Sequence, residues 1–236
     1  MIVQRPAAAR GQSSHDGRDG RLTFSFGGYY DAAWMGFGPL RVLNEVRLAP
    51  GAAFETQRRA NMEILAYVVD GALAHRDSLG DDVVIGTGGL HWLSAGHGVQ
   101  HGEANASASE PAHVLQMWIQ PSRLNHEPAR AGRDAIPADA RGWMLLASHE
   151  GHEGSLAIRQ DASISQARLE RGAEVRRELD PSRLYWLHLA HGEATVNGST
   201  VLRAGDALGF QDEGGELVVQ GGGETPALVL LFDLPA

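Results

Sequence analysis

The sequence contains no cysteine. That excludes disulfides, thiolate nucleophiles and sulfur-ligated zinc or iron–sulfur centres, and it fits a reducing, cytoplasmic compartment. No apolar run reaches the roughly 18 residues that a membrane-spanning helix needs. The N-terminal MIVQRPAAARGQSSHDGRDGR lacks the apolar core of a signal peptide. Positive charge is also short. The formal net charge is −9 at pH 7, against the positive field that non-specific binding to nucleic acid or anionic membrane requires. There is no nucleophile elbow, no Ser-His-Asp pattern and no glycine-rich phosphate loop ahead of a helix.

What the chain does have is glycine, 30 residues without a collagen-like period, between short β-branched and aromatic runs. This indicates many turns and short strands, an all-β protein. Strands are expected at Leu40 to Leu48, Ile64 to Val69, Ala72 to Asp77, Val83 to Ile85 and Val114 to Ile119. Asp70-Gly71 and Asn197-Gly198 read as hairpin turns, and Leu79-Gly80-Asp81 as another turn. The segment from Leu22 to Phe26 reads as short and ordered, after a polar coil. Residues 122–141, with Pro128 and Pro137, read as a linker.

The segment AYVVDGALAHRD around residue 71 parallels WLHLAHGEATVN around residue 192, and IGTGGLHWLSAG parallels LRAGDALGFQDEG. Two copies of one small antiparallel barrel account for this. The division is an N-terminal domain at 1–121, a linker at 122–141 and a C-terminal domain at 142–236. In the second copy Asp212 and Glu213 stand at the matching turn without an imidazole, so it reads as a structural copy.

The chemistry gathers in Gly88 to Asn105. Gly96 and Gly98 force a turn, after which His101 and Glu103 are spaced i, i+2. On a strand that spacing puts both side chains on one face, half of a site for an oxygen- and nitrogen-loving ion. On the preceding segment the corresponding positions hold Gln57 and Arg59. Glu63 shares the alternation parity of Arg59 and could add a third ligand on a regular strand. His75, near a strand end, reads as a surface histidine, His97 as a solvent-facing one and His113 as structural. His149 and His152 sit on a glycine-bounded turn that does not suggest a second metal site. Asn105 reads as satisfying backbone groups in its turn.

Several motifs in order, TFSFGGYYD (23–31), MGFGPLRVLNE (35–45), NMEILAYVVDG (61–71), HRDSLG (75–80), LSAGHGVQHGEAN (93–105), LQMWIQP (115–121) and LLFDLP (230–235), make this chain resemble the pirin family. These are bicupin proteins, and the likeness is to bacterial members described as quercetin 2,3-dioxygenases. The resemblance implies two tandem antiparallel jelly-roll barrels. It also implies one metal, commonly iron, in the N-terminal barrel, held by three histidines and a glutamate. Two of those histidines form an HxH pair that falls on Gln57 and Arg59. The third histidine and the glutamate fall on His101 and Glu103.

With two ligands missing, the expectation is a pocket of Gln57, Arg59, Glu63, His101 and Glu103 that holds no metal. Arg59 would then pair with Glu103 and His101 would be a hydrogen-bonded core residue. If an ion were held, it would be one divalent ion such as Fe(II) on His101 and Glu103. The resemblance implies a dioxygenase, an oxidoreductase. The alternatives are a non-catalytic binder of an anionic or phenolic small molecule or of a protein partner, and a metal-independent enzyme with His101 or Glu103 as general base.

Overall fold

The pairing of each strand follows from where the chain is forced to change sheets. Asp70-Gly71 is such a point. Gly71 has φ +80°, and a Cβ there would lie 2.6 Å from the Pro111 carbonyl oxygen, so no other residue fits without a shift. The strand before it, Glu63–Asp70, lies in one sheet and the strand after it, Ala72–Asp77, in another. The expected hairpin is therefore a sheet-to-sheet corner. Ala72–Asp77 pairs instead with Val99–Asn105 and with Asp82–Gly86.

The structure, a computed structural model, describes residues 1–80 and 82–236. Asp81, last residue of the expected turn at Leu79-Gly80-Asp81, lies outside them. The fold is all β, as expected, with two compact units. The first comprises residues 11–136 and 156–160. Its larger sheet runs in the order Ala129–Arg133, Leu90–Ser94, Glu63–Asp70, Ala112–Ile119, Leu40–Leu48, Arg18–Leu22, Gly11–His15. Its smaller sheet runs Gln57–Arg59, Val99–Asn105, Ala72–Asp77, Asp82–Gly86. All these pairings are antiparallel.

The second unit comprises residues 1–10, 137–155 and 161–236. Its sheets repeat the order. One contains Ile2–Arg5, Ala207–Gln211, Arg183–His191, Ala227–Pro235, Ser163–Leu169 and Met144–Ser148, and the other Glu174–Leu179, Gly215–Gly221, Glu193–Val196, Thr200–Arg203. Gly192 repeats the Gly71 corner, with φ +79° and a virtual Cβ 2.9 Å from the Pro226 carbonyl oxygen. Asn197-Gly198 does close a hairpin, between Glu193–Val196 and Thr200–Arg203.

Three boundaries differ from the sequence-based division. The first ten residues belong to the second unit, because Ile2–Arg5 adds to the edge strand Ala207–Gln211. The expected linker is partly strand, Ala129–Arg133, paired with Leu90–Ser94. Residues 156–160 group with the first unit. The expected polar coil before Leu22 is a hairpin of Gly11–His15 and Arg18–Leu22, turned at Asp16-Gly17 with both residues at positive φ.

In the second barrel an apolar cluster including Tyr185, Leu187, Leu217, Val219 and Phe210 lies in the core. Among the described residues of the first barrel, one smaller cluster lies around Val46, Val68, Leu73 and Val114 and another around Ile64, Leu93 and Val99. Alternation explains the gap between them. The buried face of Val99–Asn105 reads Val99, His101, Glu103, Asn105, polar side chains following an apolar one.

Asn105 closes the far end of that face. Its amide donates to the carbonyls of Leu48, Ala49 and Glu110, and its oxygen accepts from the Ser107 N–H. Replacing Asn105 with alanine should lower unfolding free energy by about 2 kcal/mol, since buried carbonyls lose their donor. Urea denaturation reads this directly. Val84→Ala, at a position 67% exposed, should stay within about 0.5 kcal/mol; equal effects of the two changes would contradict the assignment.

Candidate metal centre in the first barrel

The register of two neighbouring strands builds the centre. His75 is directly opposite Glu103, and Asp77 directly opposite His101. Each pair along a strand is spaced i, i+2, so all four side chains share one face. All four are buried, His75 to 1% exposure. One ligand atom from each of His75, His101 and Glu103 lies within 4.8 Å of the other two. This is the group that sequence reasoning missed. His75 is not a surface residue, and the HxD spacing of His75 and Asp77, mirroring HxE at 101 and 103, was the available signal.

Hydrogen bonding leaves the imidazoles able to bind. His75 Nε2 is 3.3 Å from Asp77 Oδ2. A carboxylate there accepts, and a neutral ring that donates to it through Nε2 keeps a lone pair on Nδ1. The Nδ1 atoms of both His75 and His101 are buried without a hydrogen-bond partner. Burying a ring nitrogen without a partner is costly. The His75 ring also lies 4.0 Å from that of His91 and 5.7 Å from that of His101, centroid to centroid.

The electrostatics agree with this. Burial first, then the neighbouring His75 and Arg59 and more weakly His91, bring His101 down to about 4 against the pull of Asp77. The ring is therefore neutral at pH 7, the form that ligates metal. Burial raises the pKa of Glu103 above the usual carboxylate range, opposed by the Gln116 hydrogen bond and by His75. Gln116 Nε2 donates to Glu103 Oε2 at 2.7 Å and so orients the carboxylate.

The other expected pocket residues divide. Gln57 and Arg59 line the pocket with His101, Glu103, Gln116 and Trp118. Arg59 does not pair with Glu103 as expected. Its guanidinium donates to Gln57 Oε1 and to the Arg58 carbonyl, and lies over the Trp118 ring at 4.9 Å. Glu63 is not in the pocket. Its carboxylate accepts from Trp92 Nε1 at 2.8 Å, Ser94 Oγ at 2.6 Å and the Arg159 N–H at 3.1 Å. The parity argument failed because Gln57–Arg59 and Glu63–Asp70 belong to different sheets; the chain crosses between them through Asn61, at φ +54°.

Elsewhere, exposed His97 reaches Glu127 at 3.1 Å. His113 holds Glu45 at 2.8 Å, a structural contact as expected. His152 pairs with Glu150 in the exposed turn. Among the described residues the only group of three or more potential metal ligands is His75, His101 and Glu103. The HxH positions of the resemblance, Gln57 and Arg59, do not fit a metal. The two imidazoles and one carboxylate that the barrel brings together do, as a donor set suited to a divalent ion with positions left open.

The pirin family profile matches residues 3–119, and that of the quercetinase C-terminal cupin domain matches residues 145–234. A quercetin 2,3-dioxygenase of Escherichia coli strain K12 is 34% identical over 237 residues, covering 100% of this chain and 99% of that protein. The pirin-like protein YhaK of the same strain is 33% identical over 239 residues, covering 100% of each chain. The crystal structure of the bacterial pirin YhhW from Escherichia coli in complex with nickel(II) superposes with a TM-score of 0.92 at 34% identity. That match covers 100% of this chain and 99% of that one.

In chelator-treated protein, NMR titration of the His101 ring should give a midpoint near 4, well below the ordinary 6.5. Protonation of the ring through that midpoint would remove it as a ligand for any divalent ion supplied to the protein. A midpoint near 6.5 would contradict the buried, cation-flanked placement of the ring.

Proposed function

The chain belongs to the pirin family, and from that premise we propose that its first barrel is a metal-dependent dioxygenase centre for phenolic rings of the quercetin type, with one divalent ion on His75, His101 and Glu103. The observation that carries this reading is the buried triad whose two imidazoles each keep an unpartnered nitrogen. The Escherichia coli relative acts as a quercetin 2,3-dioxygenase, which supplies the reaction class; a solved relative holds nickel(II), which supplies the precedent for an ion.

Each side chain has a definable task. Asp77 Oδ2, 3.3 Å from His75 Nε2, fixes the orientation of that ring. His101, neutral at pH 7, binds without first losing a proton. Glu103 contributes the negative charge, and Gln116 holds one of its oxygens. When bound, a redox-active divalent ion with open positions supplies the electron transfer that a closed-shell phenol needs in order to react with dioxygen, and a binding point for an ionised phenol oxygen. Phe26, Phe54 and Trp118 line the approach. They can hold a planar ring and keep water out.

The space matches a ligand of this kind. The inner pocket, about 80 Å³, shares Phe26, Phe54 and Gln116 with a cleft of about 590 Å³ lined also by Tyr29, Asn44 and Arg18. A multi-ring substrate could place its reacting ring inside and the rest in the cleft.

Elemental analysis of protein reconstituted with Fe(II), Mn(II) or Ni(II) should give close to one ion per chain. His75→Ala, His101→Ala and Glu103→Gln should each bring this to background, whereas Glu63→Gln should retain the ion. Asp77→Asn should weaken affinity by about 10- to 100-fold. Oxygen uptake with quercetin should follow the same order. Full metal content in His75→Ala would remove that histidine from the ligand set, and background metal in the unaltered protein would end the proposal.

A further inference from the structure

Arg59 carries a permanent positive charge with no carboxylate partner among the described residues. Its hydrogen bonds go to an amide oxygen and a backbone carbonyl, its Nε is buried without a partner, and burial lowers its pKa. A partly desolvated cation of this kind is normally matched by an anion. Glu103 would have been the obvious one, yet Gln116 takes that carboxylate. The cation therefore stands at the pocket wall with donor capacity unused.

Its surroundings define what would fit. The guanidinium lies over Trp118, and the Phe26 ring meets Trp118 edge to face at 5.3 Å. Phe54 completes an aromatic lining around the same small space. A flat ring can pack there while an oxyanion on it reaches Arg59. The planar fork of a guanidinium matches a carboxylate through two parallel hydrogen bonds, whereas a phenol oxygen offers one. A simple phenol is also neutral at pH 7, unlike a carboxylic acid.

We propose that Arg59 makes this pocket selective for aromatic carboxylates, holding the carboxylate of a hydroxylated benzoate-type ligand while Phe26, Phe54 and Trp118 hold the ring. This rests on reading the pocket as the ligand site, and it goes beyond the proposed function by naming a further class of ligand, aromatic carboxylates. It does not depend on an ion being present. Arg59 lies outside the triad, and its role is recognition of the ligand.

The test is calorimetric titration of chelator-treated full-length protein with 3,4-dihydroxybenzoate and with its uncharged methyl ester. The acid should bind at least tenfold more tightly than the ester, and the preference should shrink as salt is raised. Arg59→Gln should remove the preference, while Arg59→Lys should keep part of it; near-UV circular dichroism verifies that both variants fold. Equal binding of acid and ester, no binding of either, or a preference that survives in a folded Arg59→Gln protein would each overturn the proposal. The chelator separates the two readings. A preference for the acid in a protein that never takes up metal would sink the metal-dependent function and leave this inference standing. Stoichiometric metal on the triad with no preference for the acid would do the reverse.

Discussion

The pairing of Ala72–Asp77 with Val99–Asn105 is the constraint on which the site depends. One register places His75 against Glu103 and Asp77 against His101. A slip by one residue would turn all four side chains to the opposite face. The register is secured by features remote from the chemistry. Gly71 lets the first strand leave the larger sheet at a corner that a side chain would block. Gly96, at φ +47° with a virtual Cβ only 2.1 Å from the His126 carbonyl oxygen, sets the start of the second strand. Asn105 ties the end of that strand to three carbonyls.

The second barrel shows what the same geometry does without the chemistry. Val196 is opposite Val219, as His75 is opposite Glu103, and Leu217 lies two residues before Val219, as His101 lies two before Glu103. All three sit in the apolar core. The sequence comparison aligned Asp212 and Glu213 with the ligand turn, whereas the register assigns that place to Leu217 and Val219. At these three positions the second barrel has apolar side chains, none of which can ligate an ion.

Much of this was legible in the chain. The all-β class, the twofold repeat and the pairing of His101 with Glu103 on one strand face follow from turn residues and alternation. What was hidden depended on contacts between strands that are not consecutive. Nothing local tells that residues 75 and 103 face each other, so His75 passed for a surface residue. Parity carried Glu63 into the pocket on paper, but parity holds only within one strand, and the chain changes sheet between Arg59 and Glu63. The N-terminal strand joining the far barrel was hidden for the same reason. The absence of the HxH pair at Gln57 and Arg59 was read correctly as a chemical change. What the chain alone did not reveal is that the surrounding strands bring another imidazole, His75, beside His101 and Glu103.

The function proposed for the first barrel turns on whether His75 completes a metal centre with His101 and Glu103. Anomalous diffraction from crystals of the protein soaked in Ni(II) or Mn(II) measures this most directly. One strong peak is expected in the first barrel, within bonding distance of a nitrogen of His75, a nitrogen of His101 and an oxygen of Glu103, with His75 still held by Asp77. A barrel without a peak, or a peak that leaves His75 beyond bonding distance, would contradict it.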